Sequence, residues 1–137
     1  MDIGEEARVF LDGWRTDPLK AKKAFLDFCS LLDEEGISFS FKGRQGISFS
    51  LRAKHAAQKE RDLFVLIDVI DDDPEERWLS VCFYDDMVTD PEEKGDYVPQ
   101  GLLGCDARCF NLDEENAALE DYIGHRIREA REAAKAS

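Results

Sequence analysis

The feature of this chain that most constrains its fold is a short internal repeat. The pentapeptide Gly-Ile-Ser-Phe-Ser begins at Gly36 and again at Gly46, and in both copies apolar residues alternate with small or charged polar ones. A period of two is typical of β-strands that bury one face. Because Gly43 and Gly46 bracket the segment between the copies, the repeat predicts a β-hairpin that turns there. Four serines are expected to form its polar face: Ser38, Ser40, Ser48 and Ser50.

Two helices are predicted before this hairpin. Apolar residues recur at three- and four-residue steps over positions 3–14, which indicates a short amphipathic helix that stops near Gly13. A second helix is expected to begin at Asp17 and Pro18, because aspartate caps helices well and proline suits the first helical position. We expect Gly36 to end this helix in a left-handed conformation.

Further strands are predicted after the hairpin. Segments 63–70 and 78–84 are rich in β-branched and aromatic residues, and a short fifth strand is expected at 107–112. The segment 85–104 contains prolines and glycines that oppose regular structure, so it is expected to be a long irregular connection packed as a compact loop. Connections of that length are often functional, which makes this segment a candidate surface.

The final predicted element is a helix from about Asp113 to Ala134, capped by Asn111 or Asp113. Runs of strands between runs of helices, with short connections, indicate an α+β fold. We expect an antiparallel β-meander of four to five strands, with two N-terminal helices and one long C-terminal helix packed on one face. No break in composition divides residues 1–137, so a single domain is expected.

The charge of the chain is strongly negative and unevenly distributed. The net charge is −13, made up of +1 over residues 1–61, −16 over residues 62–121 and +2 over residues 122–137. A field of that sign repels phosphate, so binding of nucleic acid or anionic membrane by the whole surface is disfavoured. No apolar run approaches the ~20 residues that span a bilayer, and the N-terminus lacks the pattern of a secretory signal.

One segment is basic against this background. Residues 42–61 carry six lysines and arginines with Glu60 as their one acid. Its candidate binding residues, for an anionic patch on a partner, are Lys42, Arg44, Arg52 and Lys54. The alternative interpretation is a charged strand edge that discourages aggregation. The segment 43–46 also fits the GxxG pattern of nucleic-acid-binding KH domains, but there it joins two helices, whereas here it joins two strands.

The cysteines and histidines give no recognisable metal or catalytic motif. Three of the four cysteines, at positions 29, 82, 105 and 109, lie in apolar segments, which predicts free thiols in a reducing cytoplasm without a disulfide framework. The spacing of Cys105 and Cys109 does not match a structural zinc site, although a reversible thiol pair is chemically feasible. Neither His55 nor His125 belongs to a recognisable motif, so neither a metal nor a cofactor is expected.

The order of the segments resembles a known family. A helix around 24–29 is followed by the hairpin 39–49, by strands at 63–68 and 78–83, and by a Pro-Gln-Gly loop at 99–101. This pattern, over about residues 20–132, is similar to the YjbR/MmcQ-like group of small bacterial proteins, which implies a frataxin-like (CyaY-like) α+β fold. Some members of that group are described as DNA-binding. The acidic segment 85–96, the additional N-terminal helix and the negative charge differ from the group and weigh against DNA binding here.

The sequence therefore predicts a small cytoplasmic module that binds another macromolecule and is not an enzyme. An unidentified protein is the expected partner, through the segment 85–104 or the serine face of the hairpin, and a homodimer through that face is one version. Nucleic-acid binding through residues 42–61 is the second hypothesis. A metal- or thiol-dependent enzyme that uses Cys105, Cys109 or His125 is the third.

Overall fold

The computed structural model describes residues 3–137, in which three α-helices and six β-strands follow one another along the chain. The helices are α1 (Glu5–Gly13), α2 (Ala21–Leu31) and α3 (Ala117–Lys135). The strands are β1 (Ile37–Arg44), β2 (Ser48–His55), β3 (Val65–Ile70), β4 (Trp78–Tyr84), β5 (Asp96–Leu102) and β6 (Cys105–Leu112). A single 3₁₀ turn, Asp85–Met87, follows β4.

The strands form one antiparallel sheet in the order β1-β2-β3-β4-β6-β5, so β1 and β5 are its two edges. All three helices pack on the same face, with two of them before the sheet and one after it. The predicted α+β fold is therefore confirmed. None of the helices in the described part of the chain is both long and apolar enough to cross a membrane.

The core lies between the helices and one face of the sheet. Alternation places Val65, Ile67 and Val69 of β3 in this core, together with the corresponding residues of the neighbouring strands. Helices α2 and α3 contribute Phe25 and Ile123, both fully buried. Burial of each such side chain contributes about 1.5–3 kcal/mol, which fixes the sheet register because a one-residue slip would expose the whole row.

The second helix is shorter than predicted at both ends. It begins at Ala21 rather than at Pro18, and it ends at Leu31, so Gly36 does not terminate it. Asp17 nevertheless caps it, since its carboxylate accepts hydrogen bonds from the backbone N–H groups of Ala21 (2.8 Å) and Lys22 (3.0 Å). Gly36 has a φ of 91° and lies where the chain enters β1.

The third helix begins later than predicted. Its cap is Asn116, whose side chain accepts a hydrogen bond from the backbone N–H of Leu119 at 3.0 Å. The two caps expected from the sequence are wrong, because Asn111 belongs to strand β6 and Asp113 precedes the true cap by three residues. The acidic residues that follow Asp113 extend the connection instead of occupying the first helical turn.

The prediction of an irregular connection over 85–104 is wrong for its second half, which forms strand β5. Pro99 is tolerated there because β5 is an edge strand and has a neighbour on only one side. The pairing with β6 shifts register between Val98 and Leu102, and Gln100 adopts a φ of 55° at this irregularity. Asp106 holds the irregular segment by accepting hydrogen bonds from the backbone N–H of Gln100 (3.0 Å) and the Tyr97 hydroxyl (2.7 Å).

The first half of that connection is fixed by Asp90. Its carboxylate accepts hydrogen bonds from the backbone N–H groups of Lys94 and Gly95, both at 2.9 Å, and from the Tyr122 hydroxyl of α3 at 2.5 Å. Desolvation alone would raise the pKa of Asp90, but these hydrogen bonds and nearby Arg108 outweigh it, so the pKa is lowered overall. The predicted packing of this segment holds only in part: Asp90 ties its first half to α3 and Leu102 is buried, whereas Tyr97 and Leu103 are exposed.

Candidate binding surface on the open sheet face

The face of the sheet opposite the helices carries a row-by-row arrangement of cations and serines on β1 and β2. The register pairs Arg44 with Ser48, Lys42 with Ser50, Ser40 with Arg52 and Ser38 with Lys54. Each of these four rows therefore contains one basic and one small polar side chain. We call the four basic residues, Lys42, Arg44, Arg52 and Lys54, the basic strip. They are the binding residues predicted from the sequence, and the hairpin brings all four to one face.

The hairpin turn sets this register. The backbone N–H of Ile47 donates to the carbonyl of Arg44 at 2.9 Å, and Gly46 adopts a φ of 83° that favours glycine. Asp71 accepts the N–H of Gly46 at 2.8 Å and anchors the turn to the end of β3. The sequence predicts Gly43 as a turn residue, but it lies within β1. A Cβ at this position would come within 2.7 Å of the Phe49 ring.

The basic strip borders a shallow cleft of about 580 Å³, whose lining includes three of its residues, Lys42, Arg44 and Arg52. Within residues 3–137 these three side chains make no hydrogen bond and no ion pair within 4.0 Å. Lys54 differs, because its ammonium lies 4.0 Å from the exposed carboxylate of Asp62. In the part of the chain that the structure describes, three of the four cations of the strip therefore have neither a hydrogen bond nor an ion pair.

Asp68 of β3 is the carboxylate beside this strip. It lies in the same row as Lys42 and Ser50, and the Ser50 hydroxyl donates a hydrogen bond to it. Burial raises the pKa of Asp68, and the Ser50 hydrogen bond with the nearby charges of Arg44 and Arg52 only partly opposes that effect. Asp68 thus limits the strip on its β3 side without forming a direct ion pair with it.

The serine face is less uniform than the alternation predicts. Ser38 and Ser40 on β1 are exposed, and Ser50 is half-buried. Ser48 is only 5% exposed, because it lies at the turn beside β3. The polar serine face predicted from the sequence is therefore solvent-exposed on β1 only.

The remaining basic residues of the segment 42–61 do not join the strip. Arg61 makes a bidentate pair with Asp86, at 2.6 and 2.9 Å, and lies 4.1 Å above the Tyr84 ring. Its charge is therefore used to hold the 3₁₀ turn after β4. Lys59 is exposed in the connection between β2 and β3.

The prediction of free thiols without a disulfide framework is wrong for Cys82 and Cys109. Cys82 of β4 and Cys109 of β6 face each other in the register and form a disulfide on the open face, with their Cα atoms 4.2 Å apart. Cys105 is free and exposed. The thiol pair considered for Cys105 and Cys109 is therefore absent, because Cys109 is bonded to Cys82 instead. Cys29 is free, and burial raises the pKa of its thiol to about 12, which makes it unreactive.

The two histidines do not come together with the cysteines of the open face. His55 accepts a hydrogen bond on Nδ1 from the backbone N–H of Ala57 at 3.0 Å. His125 is exposed on α3, which packs on the other face of the sheet, and its Nε2 lies 3.6 Å from Asp121. Over residues 3–137 no group of three or more His, Cys, Asp or Glu side chains is arranged to hold a metal ion.

Comparisons with protein-family models, with curated proteins and with solved structures find no match to this chain. The resemblance to the YjbR/MmcQ-like group therefore stays a prediction from the order of the segments.

Proposed function

We propose that this protein is a non-enzymatic binding module that docks an acidic segment of a partner protein on the basic strip. The observation that carries the proposal is the row-by-row placement of four cations on one face, three of them without an ion-pair partner in residues 3–137. Like charges on neighbouring strands destabilise a sheet, so this grouping has an energetic cost in the free protein. A bound anion would offset that cost.

Protection of the sheet edge does not account for the whole strip. Charged residues on an edge strand discourage pairing with other chains, and Lys42 and Arg44 of β1 fit that role. Strand β2, however, is paired on both sides from Ser48 to Ala53, so Arg52 lies inside the sheet. A cation on an inner strand is not needed to protect the edge, and it enlarges the basic area toward the centre of the face.

A protein segment fits this surface better than a nucleic acid. The strip covers the seven positions 38–44 of β1, about 20 Å at the usual rise per residue, and most of the negative charge of the chain lies in residues 62–121. A long polyanion would leave the strip and meet the −16 net charge of residues 62–121. A short acidic peptide can end where the cations end. Nucleic-acid binding through residues 42–61 is the competing outcome of the test below.

A homodimer through the serine face is less well supported. A two-fold contact centred on that face would bring the basic strips of both copies together, and like charges juxtaposed in an interface cost several kcal/mol in general.

The cytoplasmic location predicted from the sequence stays a proposal. The Cys82–Cys109 disulfide weighs against it, since thiols in the cytosol of most organisms are kept reduced.

The test is peptide binding by fluorescence anisotropy at low salt, with a labelled peptide of about eight residues rich in glutamate. We expect binding that weakens with salt and that falls at least about tenfold in the double variant Arg44→Glu with Arg52→Glu. Lys59→Glu is the control, because it makes the same charge change as either substitution alone, in the same basic segment but away from the strip. A single-stranded oligonucleotide of equal charge is the competitor.

Three results would contradict the proposal: no binding at low salt, an equal loss in Lys59→Glu, or tighter binding of the oligonucleotide than of the peptide. The last result would favour the nucleic-acid hypothesis instead.

A further inference from the structure

We propose that the acidic segment binds as an additional strand along the free edge of β1, with an acidic side chain at every second residue. This inference rests on the function proposed above and specifies the conformation and sequence pattern of the partner. It follows from three features of β1: its unpaired backbone, the spacing of the basic strip, and the size of the side chains between the cations.

On the outer side of β1 only the central peptide groups are unpaired, because the N–H groups near both of its ends bond within the chain: that of Ile37 donates to the Glu34 carbonyl at 3.3 Å, and that of Gly43 to the Glu6 carboxylate. Even-numbered positions bond toward β2, as shown by the N–H of Ala56, which donates to the carbonyl of Gly36 at 2.9 Å. Gly43, an odd position, donates outward to Glu6 at 3.2 Å. The peptide groups of Phe39 and Phe41 therefore also point away from β2, and no residue from 3 to 137 outside this strand pair is hydrogen-bonded to them. They are available to an incoming strand.

The spacing of the basic strip matches an extended peptide. Rows on one face of a strand repeat every two residues, about 6.7 Å, and the side chains of an added strand repeat at the same interval. Each of the four rows holds one cation. An added strand with acids at alternate positions would therefore place one carboxylate beside each row.

The serines of β1 let the inner cations reach this added strand. Lys42 and Arg44 lie on β1 itself and would face the partner directly. Arg52 and Lys54 lie one strand further in, but their row neighbours on β1 are Ser40 and Ser38, which are too short to block them. The long, flexible side chains can extend over these serines toward the edge. The exposed serines thus have a role in the site.

The other face of the added strand would have different neighbours. Residues of the partner between the acids would lie beside Ile37, Phe39 and Phe41, which are half-buried at the edge of the core. The expected pattern is therefore acid alternating with an apolar or β-branched residue. A second copy of this chain is a poor occupant, because pairing β1 with β1 would place two basic strips side by side. The opposite edge, β5, is interrupted by Pro99 and a register shift.

The test uses backbone-methylated peptides, so that the protein itself, with its full chain, is unchanged. The probe is the capped heptapeptide Glu-Val-Glu-Thr-Glu-Val-Glu. One derivative carries N-methyl groups on its three intervening residues, and another carries them on its acids. In a strand, only alternate N–H groups face the neighbour, so methylation in one frame removes hydrogen bonds to β1 and in the other frame does not.

We expect a loss of affinity of about tenfold or more in one frame and of less than about threefold in the other. If the peptide methylated on the intervening residues loses affinity, the added strand is antiparallel to β1. If the peptide methylated on its acids loses affinity, the added strand is parallel to β1. Equal affinity of all three peptides, or equal loss in both frames, would overturn strand addition. If the peptide binds in this way and its binding still requires Arg44 and Arg52, the proposed function stands without strand addition. If the unmodified peptide does not bind, both proposals fail.

Discussion

The two edges of the sheet use charged residues in opposite ways. At the β5–β6 edge, Asp106 accepts two hydrogen bonds from β5, and Arg108 pairs with Asp85 at 2.9 Å and lies 3.8 Å from Asp90. At the β1–β2 edge, Lys42 and its neighbours Arg44 and Arg52 have no such partners in residues 3–137. The charges at the β5–β6 edge stabilise its irregular conformation. The charges at the β1–β2 edge contribute little to the fold and are free to bind something else.

This difference implies a division that mutations can test. Removing a charge that is hydrogen-bonded inside the molecule leaves donors without acceptors, which costs free energy of unfolding. Removing a cation that has no partner costs almost none, and it relieves repulsion from its neighbours. Stability and binding should therefore respond to changes at opposite edges of the sheet.

The largest effect is expected from the disulfide that joins β4 to β6. Replacing Cys82 and Cys109 together with alanine should lower the free energy of unfolding by about 3 kcal/mol, because the bond closes a loop with a sequence separation of 27. Urea denaturation measures the change. Cys105→Ala is the matched control, since that thiol is free and exposed, and it should change stability by less than about 0.5 kcal/mol. Equal stability of the double variant and the parent would contradict the assignment of the bond.

The next largest effect is expected at Asp90. Asp90→Asn should cost about 2 kcal/mol at neutral pH, because the side chain accepts three hydrogen bonds and lies beside Arg108. The folded pKa of Asp90 is lowered, so its contribution is complete above the unfolded pKa of about 3.9 and is lost as the pH falls through the folded value.

The measurement is the unfolding free energy of both proteins between pH 7 and pH 3, where the gap between them should stay constant at neutral pH and begin to narrow as the pH falls through the unfolded pKa of about 3.9. Asp96→Asn, a change at an exposed position of the same edge, is the control and should have little effect. A gap that stays constant down to pH 3 would show that the ionised carboxylate of Asp90 is not what stabilises this connection.

The hairpin, the helices and strand β5 show how far the sequence predicts the fold. The repeat predicts the hairpin and its faces, because a buried face must alternate, and the helix periodicity predicts three helices packed on one side. Strand β5 was missed because Pro99 and its glycines indicate a loop, and only an edge position with one neighbour makes them compatible with a strand. Nothing local signals that outcome.

The candidate site was predicted in part. The residues of the basic strip follow from alternation within one hairpin, which is a local property of the sequence. The disulfide could not be predicted, because Cys82 and Cys109 meet only through the long-range register of β4 and β6. The internal partners of Arg61 and Arg108 are non-local in the same way, so the sequence could not separate structural cations from free ones.

A smaller effect is expected from the basic strip itself. The double variant Arg44→Gln with Arg52→Gln should change the free energy of unfolding by no more than about 0.5 kcal/mol, because relief of repulsion within the strip and loss of attraction to Asp68 oppose each other. Arg108→Gln is the comparison at the other edge and should cost about 1–2 kcal/mol, since it leaves Asp85 and Asp90 without their cation. Equal losses at the two edges, measured by urea denaturation, would remove the distinction between them.

The smallest effect, and one of opposite sign to Asp90, is expected at Asp68. Its folded pKa is raised by burial, so ionisation of Asp68 destabilises the folded state. That penalty is absent below the unfolded pKa of about 3.9 and complete above the folded pKa. Asp68→Asn should therefore be slightly more stable than the parent at neutral pH and equal to it at pH 3. A variant less stable than the parent at neutral pH would mean that Asp68 supports the sheet as an anion.

The central claim is that the basic strip is the surface at which this protein meets an acidic partner. Its most direct test is an amide-resolved NMR titration of the full chain with the unmodified heptapeptide at low salt. We expect the shifted resonances to cluster on β1 and β2, around Lys42, Arg44, Arg52 and Lys54, and those of β5 and β6 to stay in place. Shifts centred on β5 and β6, or none at all, would contradict it.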